Sequence, residues 1–208
     1  MRQEAKKTAI ITGSSRGIGK EIAIILAKKS VKVVVCSRTQ SEINSTVEEI
    51  KKLTGISGVL GIRCDVSISS QVNSLVKSVM EKFGNNTIDI LVNNAGVAFN
   101  TKLIDTSEEE WDQTIDSNLK GAFLFTKAVL PYMISNRSGV ILNVNSGAGK
   151  AGFSNLSAYC ASKFGLVGLA ESIALELSEY QNIRVLTIFL GEVATKMWQE
   201  YDFSYYQR

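Results

Sequence analysis

The chain has 208 residues, 45% hydrophobic and 21% charged, with a net charge of +3. That is the length of one domain with a substantial core, and so small a charge on such scattered lysines does not argue for a nucleic-acid partner. It has no histidine, which excludes serine-histidine hydrolases, histidine general bases and most zinc sites, while Cys36, Cys64 and Cys160 are isolated, odd in number and lack CxxC spacing, so neither disulfides nor a metal are expected.

The start, MRQEAKKTAIITG, carries basic residues but only a short apolar run. No secretory signal or membrane span is expected, and the expected compartment is the cytoplasm. A β-rich run at Thr8–Thr12 then enters TGSSRGIGK, with Gly13, Gly17 and Gly19, before helical spacing over Gly17–Lys29. Glycine serves where a strand turns sharply into a helix and where backbone must approach a pyrophosphate without a Cβ between. The loop reads either as a dinucleotide cradle at a helix N-terminus or as a tight turn without a ligand. A second strand, Lys32–Ser37, ends Val35-Cys36-Ser37-Arg38 with no carboxylate for a ribose 2′-hydroxyl. Arg38, with Arg16 in the glycine loop, offers two guanidinium forks to a 2′-phosphate, which favours NADP(H). The alternative for Arg38 is a solvated loop residue.

Helical spacing over Ser41–Leu53 leads to a strand at Val59–Val66, where Asp65 could accept from an adenine amino group or cap the helix at Ser69–Phe83. A strand at Ile88–Val92 runs into Asn93-Asn94-Ala95-Gly96. Ser107–Ile115 opens with a capping box between Ser107 and Glu110, and a longer helix is expected over Ser117–Ser135. After a strand at Val140–Asn145 comes Ser146, then a helix over Ser157–Ser178 and a last strand at Ile183–Leu190. Six strands alternating with helices predict an α/β fold: a three-layer, doubly wound Rossmann domain with a mainly parallel sheet, a single domain over residues 1–208.

On the last of these helices Tyr159 and Lys163 stand four apart and share one face. Roughly half a Tyr-x-x-x-Lys match is expected by chance in a chain of this composition, so the pair alone decides nothing. TGSSRGIG, Asp65-Val66, Asn93 to Gly96, Asn118, Ser146 and Tyr159-Cys160-Ala161-Ser162-Lys163 together closely resemble the short-chain dehydrogenase/reductase family, over residues 8 to about 197. The text is nearest to its 3-oxoacyl-(acyl-carrier-protein) reductase-like ketoreductases. Each motif is modest alone; in this order and spacing they are specific.

The resemblance implies a hydride-transferring oxidoreductase working on a carbonyl or acyl-thioester substrate with NADP(H), assembled as a dimer or tetramer. It implies a catalytic set of Asn118, Ser146, Tyr159 and Lys163. Tyr159 would be acid/base, Lys163 would lower its pKa and bind the nicotinamide ribose, Ser146 would donate to the substrate oxygen, and Asn118 would hold a water in a proton relay. The cofactor would lie along Gly13, Ser15, Arg16, Gly17, Ile18 and Gly19, then Ser37, Arg38, Asp65 and Val66, then Asn93, Ala95 and Gly96. It would finish against Tyr159, Lys163, Gly191 and Thr195. A non-catalytic NADP(H)-binding sensor on the same fold is the alternative.

Three departures qualify the resemblance. Leu190 stands where the family has proline before Gly191. Pro131 and Leu175 stand where carrier-dependent reductases carry basic residues. The chain stops before the family's seventh strand, so a sheet lacking that strand is expected. Residues 192–208 then read as the start of a substrate lid or as interface surface, since WQEYDFSYYQR holds five aromatics in 11 residues.

Overall fold

Six parallel strands in the order β3-β2-β1-β4-β5-β6 form the one sheet of the computed structural model, which describes residues 7–84 and 87–191. The strands are β1 (Thr8–Thr12), β2 (Lys32–Ser37), β3 (Val59–Arg63), β4 (Ile90–Asn93), β5 (Gly139–Ser146) and β6 (Ile183–Leu190). The helices are α1 (Gly17–Lys28), α2 (Gln40–Thr54), α3 (Ser69–Phe83), α4 (Glu108–Ile115), α5 (Gly121–Ser135) and α6 (Ser157–Glu176).

The inner strands β1, β2 and β4 are mainly apolar because both faces are covered, whereas the edge strands β3 and β6 are partly exposed. Ile10, Val34, Leu91 and Ile141 point into one core layer with Leu75 and Val79 of α3 and Phe125, Val129 and Met133 of α5. Their neighbours Ile11, Val33, Val35 and Val92 point the other way, against Ala23 and Ile24 of α1 and Ile43 and Ile50 of α2. Alternate residues of one strand thus supply opposite layers, and each such side chain buried contributes roughly 1.5–3 kcal/mol. All three cysteines are free and buried. No helix among the described residues is long and apolar enough to cross a membrane.

The chain runs outward from β1 to β2 and β3, returns to β4, and then runs outward the other way. The sheet therefore has its switch point between β1 and β4, where the loops at the carboxyl ends of the strands diverge and leave a crevice. The glycine loop follows β1, Asn93 to Gly96 follow β4, and Ser146 closes the neighbouring β5.

Two expected elements differ. The third strand ends at Arg63 instead of Val66, because Asp65 turns the chain by accepting from the Ser67 backbone N–H (3.0 Å) and hydroxyl (2.7 Å). The helix expected over Ser117–Ser135 joins α4 in an unbroken helical run through a π turn at Asp116–Lys120. The Ser107 capping box is present as expected, with Glu110 N–H donating to Ser107 Oγ at 3.1 Å and Ser107 N–H to Glu110 Oε2 at 3.2 Å. Thr195, the remaining tail and any lid within residues 192–208 lie outside the described residues.

Candidate active site

The end of β5 and the first two turns of α6 are tied together. The Lys163 ammonium donates to the Val144 carbonyl at 3.0 Å, and Nζ lies 5.5 Å from the Tyr159 ring centroid. The Ser146 and Tyr159 hydroxyls are hydrogen-bonded. Tyr159 and Lys163 are both buried, so the helical spacing puts the pair on the inner face of α6, where a polar group must find partners. Ser146 sits where β5 gives way to a short 3-10 turn, Gly147–Gly149, and its Oγ also accepts the Ala148 N–H at 3.2 Å. The strand end, the turn and the helix thus deliver one hydroxyl, one phenol and one ammonium to a common point.

The electrostatics correct one expectation. Lys163 was expected to make the phenol more acidic; instead burial dominates and Tyr159 is pushed up to about 12, although the Ser146 hydrogen bond works to lower it and Cys160 to raise it. Burial acts on Lys163 too, pulling its ammonium down to about 8. One N–H of the ammonium goes to the Val144 carbonyl, and burial penalises phenolate and ammonium alike. Tyr159 is therefore a protonated phenol across the neutral range.

Asn118, in the π turn, is buried with both ends of its amide bonded: Oδ1 accepts the Val97 N–H (2.8 Å), and Nδ2 donates to the Val97 carbonyl (2.9 Å) and to Ser162 Oγ (3.0 Å). Ser162 in turn donates to the Tyr159 carbonyl at 2.7 Å. The side chain links the segment after β4 to the helix that carries the tyrosine.

On the other side of the crevice the glycines are forced by close approach. Gly13 has φ +63°, and a Cβ there would lie 2.8 Å from the Ala95 Cα. A Cβ on Gly19 would collide with the Asn94 amide and lie 2.6 Å from the Gly13 carbonyl oxygen. Gly17, at φ +55°, makes the sharp entry into α1. Asn94 ties these parts together by donating from Nδ2 to the Thr12 carbonyl (2.9 Å) and the Gly13 carbonyl (3.2 Å). Thr12 Oγ1 accepts the backbone N–H groups of Asn94 and Ala95, both at 2.9 Å.

The family model described as short chain dehydrogenase matches residues 7–204. The chain belongs to the short-chain dehydrogenase family. Among curated relatives, the 3-oxoacyl-[acyl-carrier-protein] reductase FabG of Staphylococcus aureus (strain N315) is 37% identical over 192 residues, covering 92% of this chain and 76% of that protein. The FabG of Thermotoga maritima is 37% identical over 200 residues, covering 96% of this chain and 79% of that protein. Among solved structures, a short-chain alcohol dehydrogenase from Sinorhizobium meliloti 1021 superposes with a TM-score of 0.88 at 35% identity, covering 97% of this chain and 78% of that one. A metagenomic short-chain oxidoreductase in complex with NADP gives 0.83 at 36% identity, covering 90% and 83%.

Other residues singled out from the sequence of this short-chain dehydrogenase take varied places. Ser15 donates from Oγ to Glu42 Oε2 (2.9 Å), and its carbonyl accepts from Thr46 Oγ1 (2.8 Å). Arg16 is largely exposed and pairs with Glu42 at 3.5 Å. Ile18 packs against the α1–α2 core layer, and Ser37 Oγ accepts the Thr39 N–H. Arg38 lines an open cleft of about 630 Å³ with Arg63, Asp65, Ile68 and Gln71. Burial tends to raise the Asp65 carboxyl, but the two Ser67 hydrogen bonds, Arg38 and Lys120 together hold it below the usual range. Asp65 does not cap α3, whose N-cap is Ile68. Val66 packs beside Gly121, where a Cβ would come within 2.8 Å of its side chain. Asn93 donates to Thr126 Oγ1 (3.2 Å) and Asn143 Oδ1 (2.9 Å), binding β4 to α5 and β5. A Cβ on Gly96 would lie 3.1 Å from Asn118 Oδ1. Gly191 is exposed, and among the described residues nothing lies within 4 Å of where a Cβ would point.

Three residues escaped the sequence reading. Asn94, the glycine-loop tie, was hidden beside Asn93 in a motif whose second asparagine carries no distinct signal. Glu42, against Ser15 and Arg16, sits on the next helix with no motif around it. Asn145 looked like an ordinary strand residue before Ser146.

Proposed function

We propose that the chain is an NADP(H)-dependent ketoreductase that reduces a 3-oxoacyl or similar ketone to the secondary alcohol. The observation that carries this reading is the convergence of the Ser146 hydroxyl, the Tyr159 phenol and the Lys163 ammonium at the end of β5. The FabG relatives are named for 3-oxoacyl-carrier substrates, and one structural relative was solved with NADP.

The residues present fit a dinucleotide. The turn after β1 has no room for side chains at Gly13 or Gly19, so backbone lines it, and α1 begins at Gly17 with no acidic residue in its first turn. Arg38, and Arg16 once turned from Glu42, are the groups for a 2′-phosphate, and Asp65 is the acceptor for the adenine side. Gly13 to Gly19, Asn93 to Gly96 and Lys163 would hold the rest. When bound, the nicotinamide supplies the hydride.

Reducing a ketone adds a hydride to carbon and a proton to oxygen. Ser146 donates to the carbonyl oxygen and stabilises the charge that develops there. Tyr159 gives up its phenolic proton to that oxygen; its O–H bond breaks and the alcohol O–H forms. A phenol at about 12 remains a far stronger acid than the alcohol it makes. Lys163, one turn along α6, balances the phenolate left behind. The wall formed by Phe153, Leu156 and Cys160 with Ala148 and Tyr159 keeps the site apolar, which strengthens each of these interactions.

The same reading extends to assembly and location. α5 and α6 are apolar around much of their circumference, and α6 leaves Phe164 47% and Leu175 76% exposed. Such helices are normally covered, and a dimer or larger homo-oligomer through this face, in the cytoplasm, is the arrangement proposed.

The test follows absorbance while purified protein is mixed with NADPH and a panel of ketones, 3-oxoacyl thioesters included. Turnover lost in Tyr159→Phe supports the reductase. NADPH binding with no turnover on any substrate would instead identify a sensor.

A further inference from the structure

We infer that Asn145 is a positioning residue that fixes Lys163 and Ser146 relative to each other; this rests on the reading of Ser146, Tyr159 and Lys163 as the reacting groups. Asn145 is the penultimate residue of β5 and 2% exposed. Its Oδ1 accepts the Ser146 backbone N–H at 2.8 Å, and its Nδ2 donates to the Lys163 carbonyl at 3.0 Å. One amide therefore touches the backbone of two of the three residues whose side chains the chemistry needs.

Lys163 is held at its two ends by consecutive strand residues. Asn145 holds its carbonyl, and the Val144 carbonyl holds its ammonium at 3.0 Å. The next residue, Ser146, reaches the Tyr159 hydroxyl. Three successive residues of β5 thus make three separate links to one turn of α6. The links through Asn145 and Val144 attach to opposite ends of Lys163, its carbonyl and its ammonium, so two separate points restrain the helix against the strand. The turn that follows is shaped around this amide: a Cβ on Gly149 would lie 2.7 Å from Asn145 Oδ1 and 2.9 Å from Nδ2. Glycine at 149 is the condition for the amide to sit where it does.

A buried amide could serve stability alone, and Asn143 provides the comparison. It stands two residues earlier on β5, equally buried and on the same face, but it bonds Asn93 of β4 rather than α6. Asn143 braces the sheet, whereas Asn145 reaches the reacting helix.

The experiment compares Asn145→Ala, Asn145→Leu and Asn143→Ala with wild type. It measures kcat for ketone reduction, Kd for NADPH by nucleotide fluorescence, and Tm. The leucine keeps the branched shape and the number of heavy atoms while removing the hydrogen bonds, which supplies a second variant without a cavity if the alanine proves too costly. Misplacing reacting groups by an ångström costs up to about 100-fold, so kcat is expected to drop roughly 30- to 100-fold at 145 while NADPH Kd stays within about threefold. Asn143→Ala is expected to lower Tm with kcat within about threefold of wild type. A folded, NADPH-binding Asn145 variant with near wild-type kcat overturns the inference, as do losses at 143 and 145 that track Tm alike. A wild-type protein that turns over no ketone, or a fully active Tyr159→Phe, strikes the ketoreductase reading instead.

Discussion

The two halves of the sheet are built by different means. Around β1, β2 and β3 the working surface is backbone and exposed charge: glycines pressed against Ala95 and Asn94, with Arg16, Arg38 and Glu42 at the rim. Around β4, β5 and α6 it is buried polar side chains, Asn118, Asn145, Ser162 and Lys163, each bonded to an atom of another element. The first half can grip a large anion in water, where many weak contacts add up. The second must hold a few atoms still where water is excluded and an unpartnered polar group is costly.

That contrast predicts damage of different kinds, and the largest belongs to the buried half. Tyr159→Phe removes the proton donor and is expected to cut kcat by roughly 10²–10⁴ with NADPH binding retained, read by stopped-flow reduction against fluorescence titration. Lys163→Met is expected to be comparably inactive yet at least as stable as wild type, since it replaces a desolvated ammonium with an apolar chain of similar length. A Lys163→Met protein that melts well below wild type would show that the ammonium holds the fold as well as the chemistry.

The pH dependence sharpens the point because activity and stability move oppositely. Lys163 titrates near 8 in the folded protein, below its ordinary value of 10.5. Between these two values the unfolded chain binds more protons, so this group's contribution to stability rises with pH across that window, while its cost is fully present below about 8. Reduction needs the ammonium and is expected to decline as pH rises through about 8. The stability advantage of Lys163→Met, from parallel denaturant melts, is expected to shrink over the same window. An advantage unchanged between pH 7 and 10 would mean that the ammonium is not desolvated.

The exposed half gives smaller, cofactor-specific effects. Arg38→Ala is expected to raise the NADPH KM about 10-fold, in line with one charge-assisted hydrogen bond, and to leave the NADH KM nearly unchanged. Equal changes for both nucleotides would show that Arg38 does not read the phosphate.

Much of this was legible in the sequence because its signals are local. Short β-rich runs alternating with helically spaced stretches placed all six strands and their covering helices, and the glycine loop, Ser146 and the Tyr159–Lys163 spacing stood in order along the chain. What was not legible depends on contacts between segments far apart in sequence. Asn94 matters because Gly13 and Gly19, about 80 and 75 residues away, leave room for its amide. Asn145 matters because Lys163 lies across the strand–helix gap. The acidity of Tyr159 was misjudged for the same reason: spacing places an ammonium nearby, but only the fold shows how deeply both groups are buried and that the ammonium is turned to Val144.

The π turn at Asp116–Lys120 bears on how this segment could change over generations. Gly121 N–H bonds back to the Asp116 carbonyl, five residues earlier instead of four, so the helical run carries one surplus residue there. Deleting one residue would let the coil close into ordinary α geometry with α4 and α5 still in phase, so the residues of the wide turn itself would move. Asn118 would then swing away from Val97 and Ser162, so single-residue deletions across this stretch should be purged while substitutions at its solvent-facing positions drift freely.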